Sequence, residues 1–228
     1  MKKTLLTLAA ASALSVSAQA EQFWADNSVS YLYGSSYEEF SGADTYSTIT
    51  LEHASGHSWG GLFYFVDISK SSDYDSTYSE FSPTYTLAKM DGFVTSVSAA
   101  YTMENSEFDD NHLFGATLGL KVPGMNFVNA SLFQAYNGDG SEDNLFSVVY
   151  NYSNGNLTVD GFMDYRFGND NGEDNLNLTP QITYDLAPML KMKGKLKVGI
   201  EYSNWSNKYG SAFVGDQSAI SLLLKAHL

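Results

Sequence analysis

Apolar and polar residues alternate along most of this chain with a period of two, and the alternation divides it into twelve segments. In the segment from Asn175 to Tyr184, for example, Leu176 and Ile182 belong to an apolar set, whereas Asn177 and Gln181 belong to a polar set. Successive side chains of a β-strand point to opposite faces, so each segment has one apolar and one polar face. The pattern predicts an all-β protein.

The connections between these segments alternate between two kinds. The odd-numbered connections are long and acidic, whereas the even-numbered ones are short and nearly free of acidic residues. The long connections are 34–44, 69–76, 104–111, 137–143, 168–173 and 206–216, and the short ones are 54–58, 88–92, 123–124, 153–155 and 186–188. Barrels of the outer membrane have short periplasmic turns and longer outer loops. The sequence therefore predicts a 12-stranded antiparallel transmembrane β-barrel over residues 21–228, in the outer membrane of a Gram-negative bacterium.

The first twenty residues have the features of a secretory signal peptide. Lys2 and Lys3 form a charged start, Leu5 to Val16 is apolar, and Ala18-Gln19-Ala20 provides small residues for cleavage. Removal of residues 1–20 would leave 208 of the 228 residues and change the formal charge from −14 to −16, because both lysines leave. We therefore expect residues 1–20 to be a signal peptide and the barrel to begin at Glu21.

The composition fits a barrel with a wet interior. Hydrophobic residues make up only 43% of the chain, as expected if the outward half of each strand alone is apolar, and aromatic residues make up 14%. The chain contains no cysteine, which excludes disulfides and thiolate metal sites. The acidic balance argues against nucleic acid as a partner. A secreted β-sandwich is the alternative at this point.

Several charged residues share the polar face of predicted strands 9 and 11. Asp164 and Arg166 lie on the first, and Lys195, Lys197 and Glu201 on the second, with Lys193 extending the same ladder. A lysine facing lipid at mid-depth costs about 2–4 kcal/mol, so these side chains should face the lumen. Two interpretations remain open: the charges pair and fill the lumen, or they line it and orient a polar solute.

Predicted strand 3, from Trp59 to Ile68, leaves two alternatives. If Asp67 faces the lumen, the same parity places Phe63 and Phe65 there too. Alternatively, a bulge near Gly60-Gly61 shifts the pattern and the rings face lipid.

Short motifs along the mature chain resemble those of the Tsx-like nucleoside-specific channels and the related OmpK proteins. They are Phe23-Trp24, Asn27-Ser28-Val29, Asp44-Thr45-Tyr46, Trp59 with Tyr64 to Asp67, Glu80 to Leu87, Gly161 to Asp170, and Glu201 to Trp205. The resemblance implies a monomeric barrel that passes nucleosides, with aromatic rings gripping the base and ionisable groups contacting the ribose. Carried over by position, the candidates are Phe65, Asp67, Phe162, Asp164, Arg166, Glu201 and Trp205. Lys195 and Lys197 join them as further lumen-lining residues. The expected partners are the nucleoside, outer-membrane lipid and lipopolysaccharide.

Two other functions compete with a nucleoside channel. The inward lysines suit a porin for acidic oligosaccharides, although inward Glu52, Glu80 and Asp160 offset them. The strongly acidic outer loops suit a non-transporting surface barrel.

An enzyme is the remaining alternative. A twelve-stranded barrel can be a phospholipase if a serine and a histidine lie within hydrogen-bonding reach on its lipid face. The four histidines are His53, His57, His112 and His227. The pattern places none of them opposite an outward serine at mid-membrane depth with an orienting Asn or Asp. We therefore expect no catalytic residues, no cofactor and no metal; the loop 137–143 lacks the spacing of a calcium site.

Overall fold

The computed structural model describes residues 21–169 and 172–228, and the predicted signal peptide lies outside these ranges. Twelve antiparallel strands follow one another in chain order, and β12 pairs with β1 to close a barrel. The strands are β1 (Gln22–Ser35), β2 (Tyr46–His57), β3 (Gly60–Lys70), β4 (Asp75–Lys89), β5 (Val94–Ser106), β6 (Asp110–Leu120), β7 (Phe127–Tyr136), β8 (Glu142–Asn154), β9 (Leu157–Phe167), β10 (Asn175–Asp185), β11 (Lys195–Ser206) and β12 (Gln217–His227). The predicted fold class is confirmed. Closure pairs every strand on both sides and leaves no free sheet edge.

The inward and outward faces alternate as the sequence pattern predicts. Along β12 the residues are alternately buried and exposed, with Leu222 and Leu224 outward and Ser221 and Lys225 inward. On this strand the outward positions are apolar apart from Ser218, and the polar side chains of Gln217, Ser221 and Lys225 are covered inside the barrel. Within the described ranges, no helix has the length and hydrophobicity needed to cross a membrane.

Both ends of the chain that the structure describes lie at one rim, which we call the turn rim; the opposite rim is the loop rim. Connections at the loop rim cover 36–45, 71–74, 107–109, 137–141, 168–174 and 207–216. Those at the turn rim cover 58–59, 90–93, 121–126, 155–156 and 186–194. The contrast in length is smaller than predicted, because β3 and β5 continue into regions that were expected to be loops.

The connection 186–194 is also longer than the predicted turn. It contains a short helix, α1 (Ala187–Leu190), and Lys193 lies in it rather than on β11. The Asp185 carboxylate accepts hydrogen bonds from the backbone N–H groups of Ala187 (2.9 Å) and Leu196 (3.1 Å). This carboxylate fixes both ends of the connection. Because Lys193 lies within the connection, the predicted row of inward lysines begins at Lys195.

Candidate functional site

The register between strands determines which side chains face the lumen, because directly paired residues of neighbouring strands lie on the same side of the sheet. Arg166 on β9 contacts Glu104 on β5. These strands are not neighbours, so the contact crosses the lumen and identifies the inner face. Following the register from Arg166 around the barrel places all nine predicted site residues on this face. They are Phe65, Asp67, Phe162, Asp164, Arg166, Lys195, Lys197, Glu201 and Trp205.

The two alternatives for β3 are resolved by its pairing with β2. The register runs without a shift from Ser47 opposite Lys70 to His57 opposite Gly60. Phe65 therefore lies level with the inward Glu52 on one side and Glu80 on the other. The alternative with a bulge and lipid-facing rings is wrong.

Arg166 links three strands near the loop rim. Its guanidinium bonds to the carboxylate of Glu104 and lies 3.3 Å from Asp143 Oδ1 on β8. Asn111 donates to Glu104 (3.1 Å) and Asn137 donates to Asp143 (2.9 Å). Because both carboxylates are largely buried, with side chains 9% and 5% exposed, the bridge is a fixed part of the lumen wall.

A cluster of apolar side chains fills the inner surface between β5 and β8. The register places these residues inward, and Leu113 and Ala135 are completely buried. A Cβ atom at the inward Gly115 would lie 2.8 Å from Phe133 Cδ1, so a glycine is required where this ring packs. The cluster consists of Ala100, Leu113, Phe133, Ala135 and Leu145. We call the surface of β4–β9 that carries this cluster and the arginine bridge the arginine wall.

Hydrophobic alternation alone does not predict this cluster, because it assigns apolar residues to the lipid face. The sequence does contain a pattern that indicates inward apolar residues. Near the loop-rim ends of three consecutive strands, two adjacent residues are both apolar, as in Leu113-Phe114, Leu132-Phe133 and Leu145-Phe146. An adjacent apolar pair in a strand covers both faces, so one member of each pair had to point inward.

A row of aromatic rings lines the lumen on β3 and β4. The ring centroid of Phe65 lies 5.8 Å from that of Phe63 and 5.8 Å from that of Tyr78. The Tyr78 hydroxyl donates to Glu80 (2.8 Å), and Thr50 donates to Asp67 (2.6 Å). Phe63 faces inward and is still 36% exposed. Its inward ring therefore remains accessible to a solute.

Acidic and basic side chains are mixed on the opposite surface, formed by β10–β12 and β1–β3. Lys225 Nζ lies 3.7 Å from Glu52 Oε1, and Gln181 donates to Glu201 (2.7 Å). Lys197 stands level with Lys225 in the register. Glu201 is thus held by an amide, and the lysines lie nearer the turn rim.

A loop covers the upper part of this second surface. Tyr37, in the connection 36–45, hydrogen-bonds to the inward Ser221 (2.5 Å), and the Glu38 N–H donates to Gln217 (3.0 Å). Ser221 and Gln217 are each only 1% exposed. We call the surface of β10–β12 and β1–β3 the loop-covered wall.

Lys208, in the connection 207–216, fastens this loop. Its Nζ donates to Glu38 O (2.8 Å), to Glu39 Oε1 (2.5 Å) and to Gln217 Oε1 (2.6 Å), and it lies 4.9 Å from the centre of the Tyr209 ring. Burial lowers the pKa of Lys208, and the attraction of Glu39 opposes this effect. We call these contacts the lysine latch. The predicted site residue Trp205 packs against the Tyr209 ring, 5.4 Å between centroids, so it belongs to the latch.

The nine predicted residues therefore share a face but do not form one cluster. Arg166 is bound by two carboxylates, Trp205 contributes to the lysine latch, and Lys195 and Lys197 lie towards the turn rim. Asp164 retains a buried Oδ1 with no hydrogen-bond partner. Such an atom can accept a hydrogen bond from an ordered water molecule. Across residues 21–169 and 172–228, no three His, Asp or Glu side chains are grouped to hold a metal.

One arrangement on the outer face differs from what the sequence analysis expected. Asn27, His53 and Ser55 form a hydrogen-bonded chain on the lipid side of β1 and β2. A phospholipase site was expected to need a histidine opposite an outward serine at mid-membrane depth. The pair lies two residues apart along one strand instead, close to the turn rim.

Comparison with solved structures finds the same fold in outer-membrane porins. The KdgM porin in complex with disordered oligogalacturonate aligns at a TM-score of 0.53 and 12% identity, covering 87% of this chain and 98% of that one. The NanC porin aligns at a TM-score of 0.54 and 14% identity, with the same coverage. At these identities the likeness establishes the fold, and with the closed twelve-stranded barrel it identifies an outer-membrane protein of a Gram-negative bacterium.

The other comparisons identify no family. No protein-family model matches the chain, and no curated protein matches it. The resemblance to Tsx-like channels thus stays a prediction, and so does the binding role of the nine residues.

Proposed function

We propose that the protein is a monomeric diffusion channel of the outer membrane, selective for nucleosides or similar small polar solutes. The exposed inward ring of Phe63, in line with Phe65 and Tyr78, carries this proposal. A flat base stacks on an aromatic ring with about 1–3 kcal/mol, which is weak enough for a permeant to leave again. The resemblance to Tsx-like channels points to the same solute.

Carboxylates next to these rings provide acceptors for ribose hydroxyl groups. Asp67 and Glu80 lie beside the aromatic row. Near the aromatic row the nearby charges are mainly acidic, which favours neutral over anionic solutes. Passage along this path involves no catalytic step and no cofactor.

An acidic-oligosaccharide porin is the second candidate. The lysines of the loop-covered wall favour this candidate. Lys197 pairs directly with Lys225, and Lys195 lies two residues before Lys197 on the same face, near the turn rim. The KdgM porin, which shares the fold, was solved with oligogalacturonate. Against this candidate, Glu52 pairs with Lys225 and reduces the positive field.

Solute flux through proteoliposomes tests the proposal. We expect faster swelling with nucleosides than with neutral disaccharides of similar size, and slower swelling with oligogalacturonates. Phe63→Ala combined with Phe65→Ala should remove the preference for nucleosides. Phe81→Ala removes an aromatic ring from the lipid face of β4 and is the matched control, since Phe81 stands opposite the outward Tyr64. Faster flux of oligogalacturonates would support the second candidate, and no flux of any solute would support a structural role.

We further propose that the acidic loop rim faces the cell exterior, in contact with lipopolysaccharide. Because the chain has no cysteine, single cysteines report topology without background. Phe213→Cys at the loop rim, where Phe213 is 94% exposed, should react with an impermeant maleimide on intact cells. Met189→Cys at the turn rim should react only after permeabilisation. The reverse pattern would invert the orientation.

A further inference from the structure

The chain of hydrogen bonds on the outer face joins three residue types that together activate a nucleophile. His53 Nδ1 lies 2.8 Å from Asn27 Oδ1, and His53 Nε2 lies 2.9 Å from Ser55 Oγ. An amide oxygen can only accept, so Nδ1 carries the proton and donates to Asn27. Nε2 of the neutral ring is then an acceptor, and the Ser55 hydroxyl donates to it. This is the order of nucleophile, base and orienting group that serine hydrolases use.

The register places the chain on the lipid side of the barrel wall. Asn27 pairs directly with His53, and two residues further along, Val29 pairs with Leu51, whose side chain is exposed outward. Ser55 stands opposite Leu62 of β3. The inward neighbours Ser28 and Glu52 belong to the lumen instead. The lumen and this chain of residues thus occupy opposite sides of the same two strands.

Aromatic stacking places the chain of residues at the membrane–water interface. The His53 ring stacks on Tyr64, with 4.7 Å between centroids, and His57 stacks on Trp59, with 5.1 Å. Tyrosine and tryptophan concentrate at the headgroup level of a bilayer. The ester bonds of a glycerophospholipid lie at this level. The stacking and the two hydrogen bonds also hold the His53 imidazole in one orientation.

We propose that Ser55, His53 and Asn27 form a second functional site, which hydrolyses acyl esters of membrane lipids from the lipid-facing wall. Ser55 Oγ attacks the ester carbonyl carbon while His53 Nε2 takes the hydroxyl proton. The tetrahedral intermediate collapses, the C–O bond to the lipid alcohol breaks, and His53 returns the proton to that alcohol. Water then attacks the acyl-serine with His53 as base and releases a fatty acid and free Ser55. The site does not depend on the proposed channel function.

His57 controls access to the nucleophile. Its Nε2 lies 2.9 Å from Ser55 Oγ, and since the serine proton points to His53, His57 donates to this oxygen. Ser55 is 3% exposed beneath the two imidazoles. His57 is the last residue of β2, at the edge of the connection 58–59. In the proposed reaction the His57 ring has to leave this position, and its stacking on Trp59, before an ester can reach Oγ.

Two readouts on the purified full-length barrel test the site. A long-chain alkyl fluorophosphonate should modify Ser55 alone, as located by mass spectrometry, and mixed micelles of phosphatidylethanolamine should release free fatty acid. Ser55→Ala should abolish both signals, and His53→Ala should lower the hydrolysis rate by about 10²–10⁴-fold. Ser218→Ala is the matched control and should change neither, because Ser218 is an outward serine that bonds to Tyr202 rather than to a histidine.

Asn27 acts through His53 and is a positioning residue, so its test is rescue by a conservative variant. Asn27→Asp keeps an acceptor for Nδ1–H and should retain hydrolysis, whereas Asn27→Leu has a similar size but no acceptor and should lose most of it. The heat-modifiable gel mobility of each variant shows that the barrel remains folded. Absence of labelling and hydrolysis in the unaltered protein, or equal labelling of Ser55→Ala, would overturn the proposal and leave an interfacial hydrogen-bond network.

Discussion

The lumen is narrowed in a different way at each of its two walls. On the arginine wall, side chains of the strands themselves fill the space, through the bridge from Arg166 to Glu104 and the apolar cluster beneath it. On the loop-covered wall, the connection 36–45 lies over the strands and is fastened by Lys208. The first constriction is part of the barrel and is fixed. The second is held by a few polar contacts and can be released, so the two walls should respond very differently to mutation.

The largest effect is expected at the arginine wall. Arg166→Met leaves the carboxylates of Glu104 and Asp143 without their partner, which costs about 3 kcal/mol, at the lower end for buried pairs because the arginine side chain is 22% exposed. Urea unfolding in detergent micelles measures the loss. Lys70→Met removes the exposed ion pair with Asp75 and should cost about 1 kcal/mol or less. Equal losses for both variants would mean that the bridge does not stabilise the barrel.

A smaller effect is expected at Phe162, which faces the lumen from β9. If a base stacks on this ring, Phe162→Ala weakens nucleoside binding by about 1–3 kcal/mol while the barrel stays folded. Tyr165→Ala, on the lipid face of the same strand, should leave binding unchanged. Block of single-channel conductance by nucleosides measures both. Sensitivity at Tyr165 together with a silent Phe162 would contradict the inward assignment of this strand.

The lysines of the loop-covered wall should affect the relative permeability of cations and anions. Lys225→Met frees Glu52 and makes the lumen more negative, so the permeability ratio of cations to anions should rise. The change is expected to be at most roughly fivefold, about 1 kcal/mol, because the two charges are 3.7 Å apart and the Glu52 side chain is 27% exposed. Reversal potentials in a salt gradient measure it. An unchanged ratio would show that Lys225 does not face the conduction path.

The smallest effect is expected for the pH dependence of the lysine latch. Because burial lowers the pKa of Lys208, closing the latch releases protons, and closure is favoured as pH rises from that lowered pKa towards 10.5. Below pH 10 the phenols of Tyr37 and Tyr209 stay protonated, since burial raises the pKa of each. Conductance should therefore fall modestly as pH rises through the range that ends at the ordinary lysine pKa of 10.5. Lys208→Met should be insensitive to pH in this range, and an unchanged pH response in this variant would rule out the latch as its cause.

The sequence predicted what depends on local alternation. Strand number, antiparallel order and the facing of β9 to β12 follow from a period of two, in which a one-residue slip would place lysines in lipid. The same alternation placed Phe162, Asp164 and Glu201 inward. The lengths of the connections were predicted less well, because turn chemistry such as the Asp185 cap is not visible in hydrophobic periodicity.

Contacts between distant strands were not predictable in this way. The bridge from Arg166 to Glu104 depends on barrel curvature and on which strands face each other across the lumen, and periodicity contains neither. Ser55 and His53 were visible as an i, i+2 pair, but Asn27 joins them only through the register of β1 and β2. The facing of Phe63 likewise required the pairing of β2 with β3.

The seam between β1 and β12 has a consequence for how the protein is made. Its pairs run from Ser28 opposite His227 to Ser35 opposite Ile220, so they join the beginning of the barrel to its end. Every other pairing joins consecutive strands, so it needs only a short connection to close. The seam cannot form until β12 is in place, and contacts of such long sequence separation form slowly. Until then both edge strands are unpaired, and a chain truncated before Gln217 would be a target for aggregation and proteolysis rather than a smaller pore.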